Sequence, residues 1–409
     1  MGGLVLAEAL SRKGYRTAIL DRQPHFTPIR RGEIIQPNGL KILDQLGLLQ
    51  EIQSAGSYPN SLFHFYRVGG ARLCTVDYRM LPPPYHYALI TLPELLLGVI
   101  FKRISVKPEI KIFWGTEFRT LLRDGNRVVG VQARHQETGQ ELQLTAPVVV
   151  GADGIFSQVR EEMKIPYRLK HYPHGYLTLF LKRPASFSQE ARYYVGKKEI
   201  LGIFPVSEKL LYLFYLIQAK AQLYLKDRPG SLETLKKAVE IIDPVVKDAL
   251  GEIKSWEQIG YMPCFRVKAS RWVTHGAALM GDAAHAMNPH VSQGRNQALE
   301  DAVVLSEVIT ECFKRSDFSQ NALLAYENTR RGPVERLQRL ADEQVFFWNA
   351  GDPVRTWLRD RAFRTLDHND RLRYRMLAQV AGLGSQPYSL LDYLKVSGFS
   401  SDARAHQWP

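Results

Sequence analysis

The chain is 409 residues long, 45% hydrophobic and 23% charged, which allows a large core and excludes a disordered or fibrous protein. Its 54 Lys and Arg against 41 Asp and Glu give a net charge of +13, which favours anionic ligands. The sequence has neither a basic arm nor a segment of alternating basic and aromatic residues, so it does not indicate nucleic-acid binding. The three cysteines predict a reducing, cytoplasmic location, and the sequence has neither a zinc motif nor an apolar run of about 20 residues, the length that spans a membrane.

The first residues predict a helix, a short strand and a terminal acid. Apolar residues recur at helical spacing as far as Leu10, and an apolar strand over 17–20 ends at Asp21. This order matches the second half of a dinucleotide-binding fingerprint, in which a glycine such as Gly3 opens the helix and an acid about 20 residues later binds ribose. Because Met1 stands inside that motif, we interpret the recorded start as too late to include the first strand and the first two glycines.

Aromatic and β-branched residues predict a strand-rich middle of the chain. The predicted strands cover 127–134, 141–150, 176–181, 191–195, 200–206 and 210–217. Helices are predicted over 39–52 and over 231–250, the second broken near Pro244, and the chain is expected to be helical beyond residue 297. Since no linker or repeat marks a boundary, we expect interleaved domains rather than domains joined in line.

Two turns after apolar strands have the composition of ligand-binding loops. Residues 146–161 form a strand that leads through Asp153 and Gly154 into a helix, and residues 276–302 pass from the strand GAALM through Asp282 into another helix. An acid and a glycine at the carboxyl end of a parallel strand stand where α/β sheets bind ligands, although ordinary strand-to-helix turns also favour Asp-Gly.

Together these motifs resemble those of the single-component FAD-dependent monooxygenases of the p-hydroxybenzoate hydroxylase class, with their salicylate hydroxylase-like and ubiquinone-biosynthesis hydroxylase-like members. The most specific matching segment is GDAAHAMNPHVSQG (281–294), and YENTRR (326–331) after it is also typical of the family. The resemblance implies that FAD is the cofactor and that NADH or NADPH is the reductant. It also implies that one oxygen atom of O2 is transferred to an aromatic or otherwise apolar organic substrate.

The resemblance assigns cofactor-binding roles to residues along the whole chain. Those residues are Gly3, Asp21, Arg22, Arg31, Phe118, Asp153, Gly154, Asp282, Pro289, Gly294, Arg295 and Asn296. It implies that Asp21 contacts the adenosine ribose, that Asp282 binds the ribityl or pyrophosphate part, and that Pro289 lies beside the isoalloxazine. Residues 294–296 would offer backbone N–H groups to the pyrimidine end, where the reduced flavin is negative. The chain departs from the family at Ser292, where members have glycine, so we expect conformational strain there.

The same resemblance predicts an α/β fold: a Rossmann-like FAD-binding domain interleaved with a β-sheet substrate domain, followed by C-terminal helices, with the first β-strand missing. The predicted FAD-binding segments are 1–80, 81–170 (which also carries strands of the substrate domain) and 266–320. The predicted substrate-binding sheet domain is 171–265, and the C-terminal helical region is 321–409.

Other functions remain open from the sequence. The resemblance also covers flavin-dependent reductases of the geranylgeranyl-reductase type and halogenases, although the halogenase signature W-x-W-x-I-P is absent. A truncated, non-catalytic flavoprotein homologue is a third alternative. No side chain is identified as an obligatory acid or base, because the cofactor carries the chemistry. His290 is the candidate that could face the substrate, and His285 is expected to be a packing or capping residue.

Five aromatic residues and seven C-terminal arginines each allow two interpretations, one purely structural and one in which they bind a ligand or a membrane. Five aromatic residues either fill a core or line a substrate pocket: Tyr193, Phe204, Tyr212, Phe214 and Tyr215. Seven C-terminal arginines form either a solvated face or, with neighbouring apolar residues, a peripheral contact with an anionic membrane. The arginines are Arg355, Arg359, Arg361, Arg364, Arg371, Arg373 and Arg375, and their apolar neighbours are Trp348, Trp357, Leu358 and Phe363.

Overall fold

The computed structural model describes residues 1–26, 33–219, 225–226, 228–384 and 386–407. The helices are α1 (Gly2–Ser11), α2 (Pro37–Gln45), α3 (Leu49–Ser54), α4 (Pro93–Ser105), α5 (Gln158–Glu162), α6 (Ser231–Ile242), α7 (Lys247–Leu250), α8 (Asp282–His285), α9 (Gly294–Arg315), α10 (Gln320–Trp348), α11 (Pro353–Asp367), α12 (Asp370–Val380) and α13 (Leu390–Val396). The strands are β1 (Thr17–Leu20), β2 (Glu33–Ile35), β3 (Tyr58–Asn60), β4 (Leu62–Arg67), β5 (Arg72–Asp77), β6 (Ala88–Thr91), β7 (Ile110–Phe113), β8 (Thr116–Asp124), β9 (Arg127–His135), β10 (Glu141–Thr145), β11 (Val149–Gly151), β12 (Tyr167–Lys182), β13 (Ala191–Val195), β14 (Ile200–Pro205), β15 (Leu210–Gln218), β16 (Gly260–Ala269), β17 (Val273–Thr274) and β18 (Ala277–Leu279).

The α/β part of the molecule is organised around two parallel strand pairs. Strand β1 pairs with β7, and β11 pairs with β18. Helix α1 packs against α9, and both contribute to one large apolar core that includes Val5, Ala278 and Leu299, each 0% exposed. The predicted opening helix and strand are therefore confirmed. The parallel pairs also bring the turns after β11 and β18 to the same edge of the fold.

A seven-stranded sheet forms the second part, in the order β16-β12-β15-β14-β13-β4-β5. Its neighbours are antiparallel except for the parallel pair β13 and β4. Because side chains alternate along a strand, one face carries aromatic residues such as Tyr176 and Phe204, while the other carries aliphatic residues such as Leu177 and Ile203. The aliphatic face packs under α6 and α7, and the aromatic face is turned towards the C-terminal helices.

Two predicted elements are divided in the structure. The helix predicted over 39–52 is two helices, α2 and α3, because Gly47 adopts a left-handed φ of +62° between them. The strand predicted over 141–150 is β10 and β11, which belong to different sheets and are separated by Pro147, whose ring has no N–H to donate. The break near Pro244 and the helices beyond residue 297 are confirmed. The domain boundaries stay a prediction.

The arginines of the C-terminal helices are largely paired with carboxylates. Arg359, Arg371 and Arg373 form ion pairs with Asp360, Asp402 and Asp370, and their side chains are only 1%, 11% and 17% exposed. A solvated face is therefore the wrong interpretation for these three residues, whose side chains are largely buried. Arg371 also joins α12 to α13 through Asp392 at 3.5 Å, whereas the pairs of Arg359 with Asp360 and of Arg373 with Asp370 each lie within one helix. Among the described residues, no helix combines the length and the hydropathy needed to cross a bilayer.

Candidate functional site

A cavity of about 340 Å³ lies where the α/β part meets the aromatic face of the seven-stranded sheet. We call it the first cavity. One end is lined by glycine backbone from four separate turns, namely Gly2, Gly154, Gly281 and Gly294. The other end is lined by aromatic rings, namely Tyr176, Tyr193, Phe204, Tyr212 and Phe214. Four of the five predicted pocket aromatics are therefore here. The fifth, Tyr215, lies on the opposite face of the sheet and donates to Glu199.

The glycine end has the features that a dinucleotide requires. Gly154 (φ +86°) and Gly281 (φ +58°, ψ −140°) adopt backbone conformations that favour glycine and leave the chain bare towards the cavity. Gly2 begins the ten-residue helix α1, which has no acidic residue in its first turn. A helix start of this kind offers unpaired N–H groups to a phosphate. The residues of this end therefore fit the pyrophosphate of FAD.

The two acidic turns lie at the same end of this cavity, as predicted. Strand β11 runs beside β18, and the Met280 amide donates to Gly151. The buried Arg160 then ties the turns together, because its guanidinium donates to the carbonyl of Ala283 at 2.8 Å and to that of Ile155 at 2.9 Å. Nothing in the sequence singled out Arg160, whose function becomes visible only when the strands pair.

The aspartates of these turns differ in their contacts. Both carboxylate oxygens of Asp153 are occupied inside the protein, since they accept from Ser157 Oγ at 2.5 Å and from the Val159 amide at 3.1 Å. Asp153 thereby orders the start of α5 and the neighbouring Gly154. Asp282 is exposed, is the first residue of α8 and lines the first cavity. Of the two, Asp282 is the one placed to reach a bound cofactor.

The loop after α8 contributes to the lining of the first cavity. Pro289, Gly294 and Arg295 line it, and Asn296 is buried behind it. Ser292, which replaces the glycine of the family, adopts the left-handed backbone conformation (φ +51°, ψ +36°). The strain predicted for this residue is therefore present, and it costs about 1 kcal/mol. The loop thus lines the cavity both with small residues such as Gly294 and with larger ones such as His290 and Arg295.

The side chain of Asn296 has a structural function. Its amide nitrogen donates to the carbonyls of Ile34 and Ser292, and its oxygen accepts from the Gln36 amide at 3.1 Å. Gly39 is packed so closely that a Cβ there would lie 2.1 Å from the same oxygen. Asn296 therefore clamps the loop to the chain around β2 and α2, and only its backbone could serve a cofactor.

A buried charge cluster behind Gly281 holds the loop in place. Asp301 accepts from the Gly281 amide at 2.9 Å, from His285 Nε2 at 2.6 Å and from Arg330 Nε at 2.9 Å. Burial opposes ionisation of Asp301, but His285 and Arg330 outweigh it and lower its pKa. The interpretation of His285 as a packing residue is supported by this geometry, and its ring also lies against Trp272. The roles of Asp301 and Arg330 were missed, although both lie in quoted motifs.

One line of polar side chains borders the aromatic end. His290 Nε2 lies 3.2 Å from the Tyr176 hydroxyl and 3.1 Å from Asn349 Oδ1, and the Asn349 amide contacts His174 Nδ1 at 3.2 Å. Burial lowers the pKa of His290 to about 3 and that of His174 to about 4, so both rings are neutral near pH 7. His174 and Asn349 were missed because the strand and the helix end that carry them are far apart in sequence.

The remaining predicted cofactor residues lie outside the first cavity. The carbonyl of Asp21 accepts from the Thr116 amide, which begins the strand that carries Phe118, so Asp21 and Phe118 form a second group beyond the helix α1. Arg22 is exposed beside them, and Arg31 lies outside the described residues. The structure thus brings Gly154, Asp282 and the loop around Pro289 to the first cavity, with Gly3 next to the lining residue Gly2, and leaves the predicted ribose group separate.

Comparison with known sequences identifies what this chain is similar to. The family described as "FAD binding domain" matches residues 1–341. The 6-methylpretetramide 4-monooxygenase of Streptomyces rimosus is 31% identical over 341 residues, which cover 83% of this chain and 80% of that protein. The 6-hydroxynicotinate 3-monooxygenase of Pseudomonas fluorescens is 24% identical over 370 residues, 86% of this chain and 91% of that protein.

Solved structures share the fold at lower sequence identity. The crystal structure of P. aeruginosa PqsL in complex with 2-aminobenzoylacetate superposes with a TM-score of 0.77 at 21% identity, covering 87% of this chain and 95% of that one. The p-nitrophenol 4-monooxygenase PnpA of Pseudomonas putida DLL-E4 superposes with a TM-score of 0.76 at 18% identity, covering 97% of this chain and 95% of that one. The predicted α/β fold class with C-terminal helices is confirmed.

Proposed function

The chain belongs to the FAD binding domain family and is an FAD-dependent monooxygenase, and from this premise we propose that the first cavity brings one FAD and an aromatic substrate together. A small organic molecule and O2 are its substrates, and NADH or NADPH is the reductant typical of the family. When bound, FAD supplies the redox chemistry that activates O2. The protein's own residues bind and orient the reactants and exclude water from them.

The proposed cofactor site uses the glycine end of the cavity. The N-terminus of α1 at Gly2 and Gly3 would hold the pyrophosphate of FAD. Asp282 would contact the adjoining ribityl part of the cofactor, which carries hydroxyl groups. Backbone N–H groups of Gly294 and Arg295, at the start of the 22-residue helix α9, would stabilise negative charge at the ring end. Asp21, Arg22 and Phe118 would contact the adenosine part, and Arg31 keeps the role that the resemblance implies.

The observation that carries the substrate proposal is the aromatic lining opposite the loop at Pro289. Rings of the sheet make mutual contacts, such as Tyr176 to Phe214 at 5.2 Å and Tyr193 to Phe204 at 5.0 Å, and this surface suits a flat, apolar ring. Tyr176, Tyr193, Tyr212 and His290 bring polar groups to this lining, and Tyr176 and His290 lie within hydrogen-bond distance of each other. An aromatic substrate ring with one hydroxyl or amino group would pack against the aromatic side chains and form a hydrogen bond with the polar groups of the lining.

His290 is the proposed hydrogen-bonding partner of that substrate group. If Asn349 Oδ1 accepts from Nε2, as the amide contact with His174 indicates, Nδ1 of the neutral ring is an acceptor, and it lies 3.5 Å from the Tyr176 hydroxyl. With a pKa of about 3, the ring does not titrate between pH 5 and 8. His290 therefore positions the substrate as a neutral group, and activity should show no inflection from it in this range.

Replacing His290 by leucine tests this role. We expect kcat/KM for hydroxyl-bearing aromatic substrates to fall by about 5–150-fold, because one buried hydrogen bond of about 1–3 kcal/mol is lost. We also expect NAD(P)H oxidation to become uncoupled from product formation. His290→Gln keeps a hydrogen-bonding group and should restore most of the activity. The role is wrong if both variants lose activity equally, or if the leucine variant keeps its coupling ratio.

The three free cysteines support the predicted cytoplasmic location. We further propose that the C-terminal helices contact an anionic membrane. Of the four apolar residues predicted to insert, Trp348, Leu358 and Phe363 line an internal cavity, so that part of the prediction is wrong. Trp357 is 52% exposed and contacts Phe399, which is 61% exposed, and the Arg361 guanidinium lies over both rings. An aromatic pair with a cation above it suits an interface with anionic lipid.

Sedimentation with vesicles tests the membrane contact. The chain should sediment with vesicles containing phosphatidylserine at low salt and be released at high salt, whereas Trp357→Ser should stay in the supernatant. Val106→Ser, which removes another exposed apolar side chain (78% exposed) on the α/β part, is the matched control and should sediment like the wild type. Equal behaviour of the two variants would end the proposal.

A further inference from the structure

A second cavity of about 180 Å³ lies between the aromatic face of the sheet and the C-terminal helices. It is enclosed by residues of β4, β5 and β13 on one side and of α10 to α13 on the other. Its lining is mostly aromatic and aliphatic, and aromatic contacts build its wall: Phe65 stacks on Tyr193 at 4.7 Å and on Phe363 at 4.9 Å. We call it the second cavity.

The second cavity adjoins the first through a shared wall. Ile34, Tyr193, His290, Ser292 and Trp348 line both spaces. Trp348 is the last residue of α10, and its ring lies 5.5 Å from that of Tyr193 and 5.9 Å from that of His290. The side chains of Trp348 and His290 therefore stand at the boundary between the two cavities, and a ligand that occupies both would pass beside them.

The size and polarity of the second cavity indicate its occupant. Protein interiors are close-packed, and an apolar cavity of roughly 150 Å³ stays dry and takes benzene. The charged groups nearby are already paired: Glu343 accepts from the Tyr393 hydroxyl at 2.7 Å, and Arg359 pairs with Asp360. A neutral, apolar group about one ring in size fits this space better than an ion or water.

Two residues that line this cavity, Gln344 and Arg373, each have a buried polar atom without a hydrogen-bond partner among the described residues, Oε1 and Nε respectively. Gln344 lines the cavity, and its amide oxygen Oε1 is buried without a hydrogen bond. A buried acceptor without a donor is costly, so it points to a donor that a ligand supplies. A hydroxyl or N–H on the apolar group would meet this requirement.

We propose that the substrate is longer than one ring, and that its distal part, a second aromatic ring bearing a hydroxyl or N–H group, occupies the second cavity beside Gln344. This inference rests on the proposed function, because it places the oxygenated ring in the first cavity. The C-terminal helices then determine which aromatic compounds are accepted, and the sheet and the loop at Pro289 position the ring that reacts.

Calorimetric titration of the FAD-loaded full chain tests the proposal with phenol, 4-phenylphenol and 4,4′-dihydroxybiphenyl as probes. The wild type should bind 4-phenylphenol at least about tenfold more tightly than phenol, and the dihydroxy compound more tightly still. Ala362→Phe places a ring into the second cavity. It should remove the preference for the two-ring compounds and leave phenol affinity within about twofold.

Two further variants keep the test decisive. Gln344→Leu breaks no side-chain hydrogen bond within the part of the chain that the structure describes, so it should fold like the wild type and lose only the additional affinity for 4,4′-dihydroxybiphenyl. Ala325→Phe, an equal enlargement at an exposed site of α10, is the matched control and should bind all three probes as the wild type does. Oxygenation of phenol without a size preference overturns the second-cavity proposal alone. If none of the probes binds or stimulates NAD(P)H oxidation, the proposed function fails with it.

Discussion

Replacing Asp301 by asparagine is expected to lower the free energy of unfolding by about 3–5 kcal/mol, because it removes one partner of a buried ion pair and leaves the other charged. Asp301 is 0% exposed and accepts from the Gly281 amide, His285 and Arg330. Arg330 is itself 3% exposed, and in the variant Glu300 would be its remaining ion-pair partner among the described residues. The loop at Gly281 would also lose its anchor, and FAD binding should weaken together with stability.

The pH dependence of this difference follows from the sign of the pKa shift. The pKa of Asp301 is lowered in the folded protein, so its contribution is complete above the unfolded value of about 3.9 and is lost as the pH falls through the folded value. The difference between wild type and Asp301→Asn should therefore be constant from pH 8 to about pH 5 and should shrink only in acid.

Urea unfolding followed by circular dichroism measures this prediction. Glu307→Gln neutralises an exposed carboxylate on the same helix, α9, and serves as the matched control. It should change the free energy of unfolding by less than about 0.5 kcal/mol. If the Asp301 and Glu307 variants were equally stable, the buried cluster would not hold the loop as described.

Replacing Gly281 by alanine is expected to cost about 1–3 kcal/mol of stability and to weaken FAD binding by at least about tenfold. At φ +58° and ψ −140°, the backbone of Gly281 is in a region essentially restricted to glycine. A Cβ there would also lie 3.3 Å from Ala298 Cβ, and both residues line the first cavity. The turn must shift, and with it the surface proposed to contact the cofactor.

Gly125→Ala separates the effect on FAD from the effect of backbone strain. Gly125 also has a positive φ, +56°, but it lies in the exposed turn between β8 and β9 with open space around it. Both variants should lose stability, whereas only Gly281→Ala should release FAD in a fluorescence titration. Equal FAD affinity of the two variants would show that the turn at Gly281 does not contact the cofactor.

Local sequence signals could predict the glycine end of the first cavity, where FAD is proposed to bind. Gly3, Gly154 and Asp282 stand directly after strands or at helix starts, and such positions meet at one edge whenever the strands are parallel. The strain at Ser292 was also predictable, because the loop demands a conformation that glycine adopts most readily. These features depend on residues close together in the chain.

The aromatic end of the first cavity could not be predicted in the same way, because it is formed by contacts between residues far apart in the sequence. The line from Tyr176 through His290 and Asn349 to His174 joins two strand positions, a loop and a helix end. The C-terminal arginines have the composition of a solvated face, and only tertiary pairing with carboxylates such as Asp402 shows that several are internal. The second cavity exists because helices from the end of the chain cover a sheet from its middle.

The most direct test of the central claim is the absorption spectrum of the FAD-loaded chain during titration with 4-phenylphenol. If one cavity holds the flavin against the aromatic end of the site, the chain will bind one FAD, and the probe will shift the flavin bands with the same saturation that calorimetry reports. A chain that binds no FAD, or a flavin spectrum unchanged while calorimetry shows the probe bound, would contradict the claim.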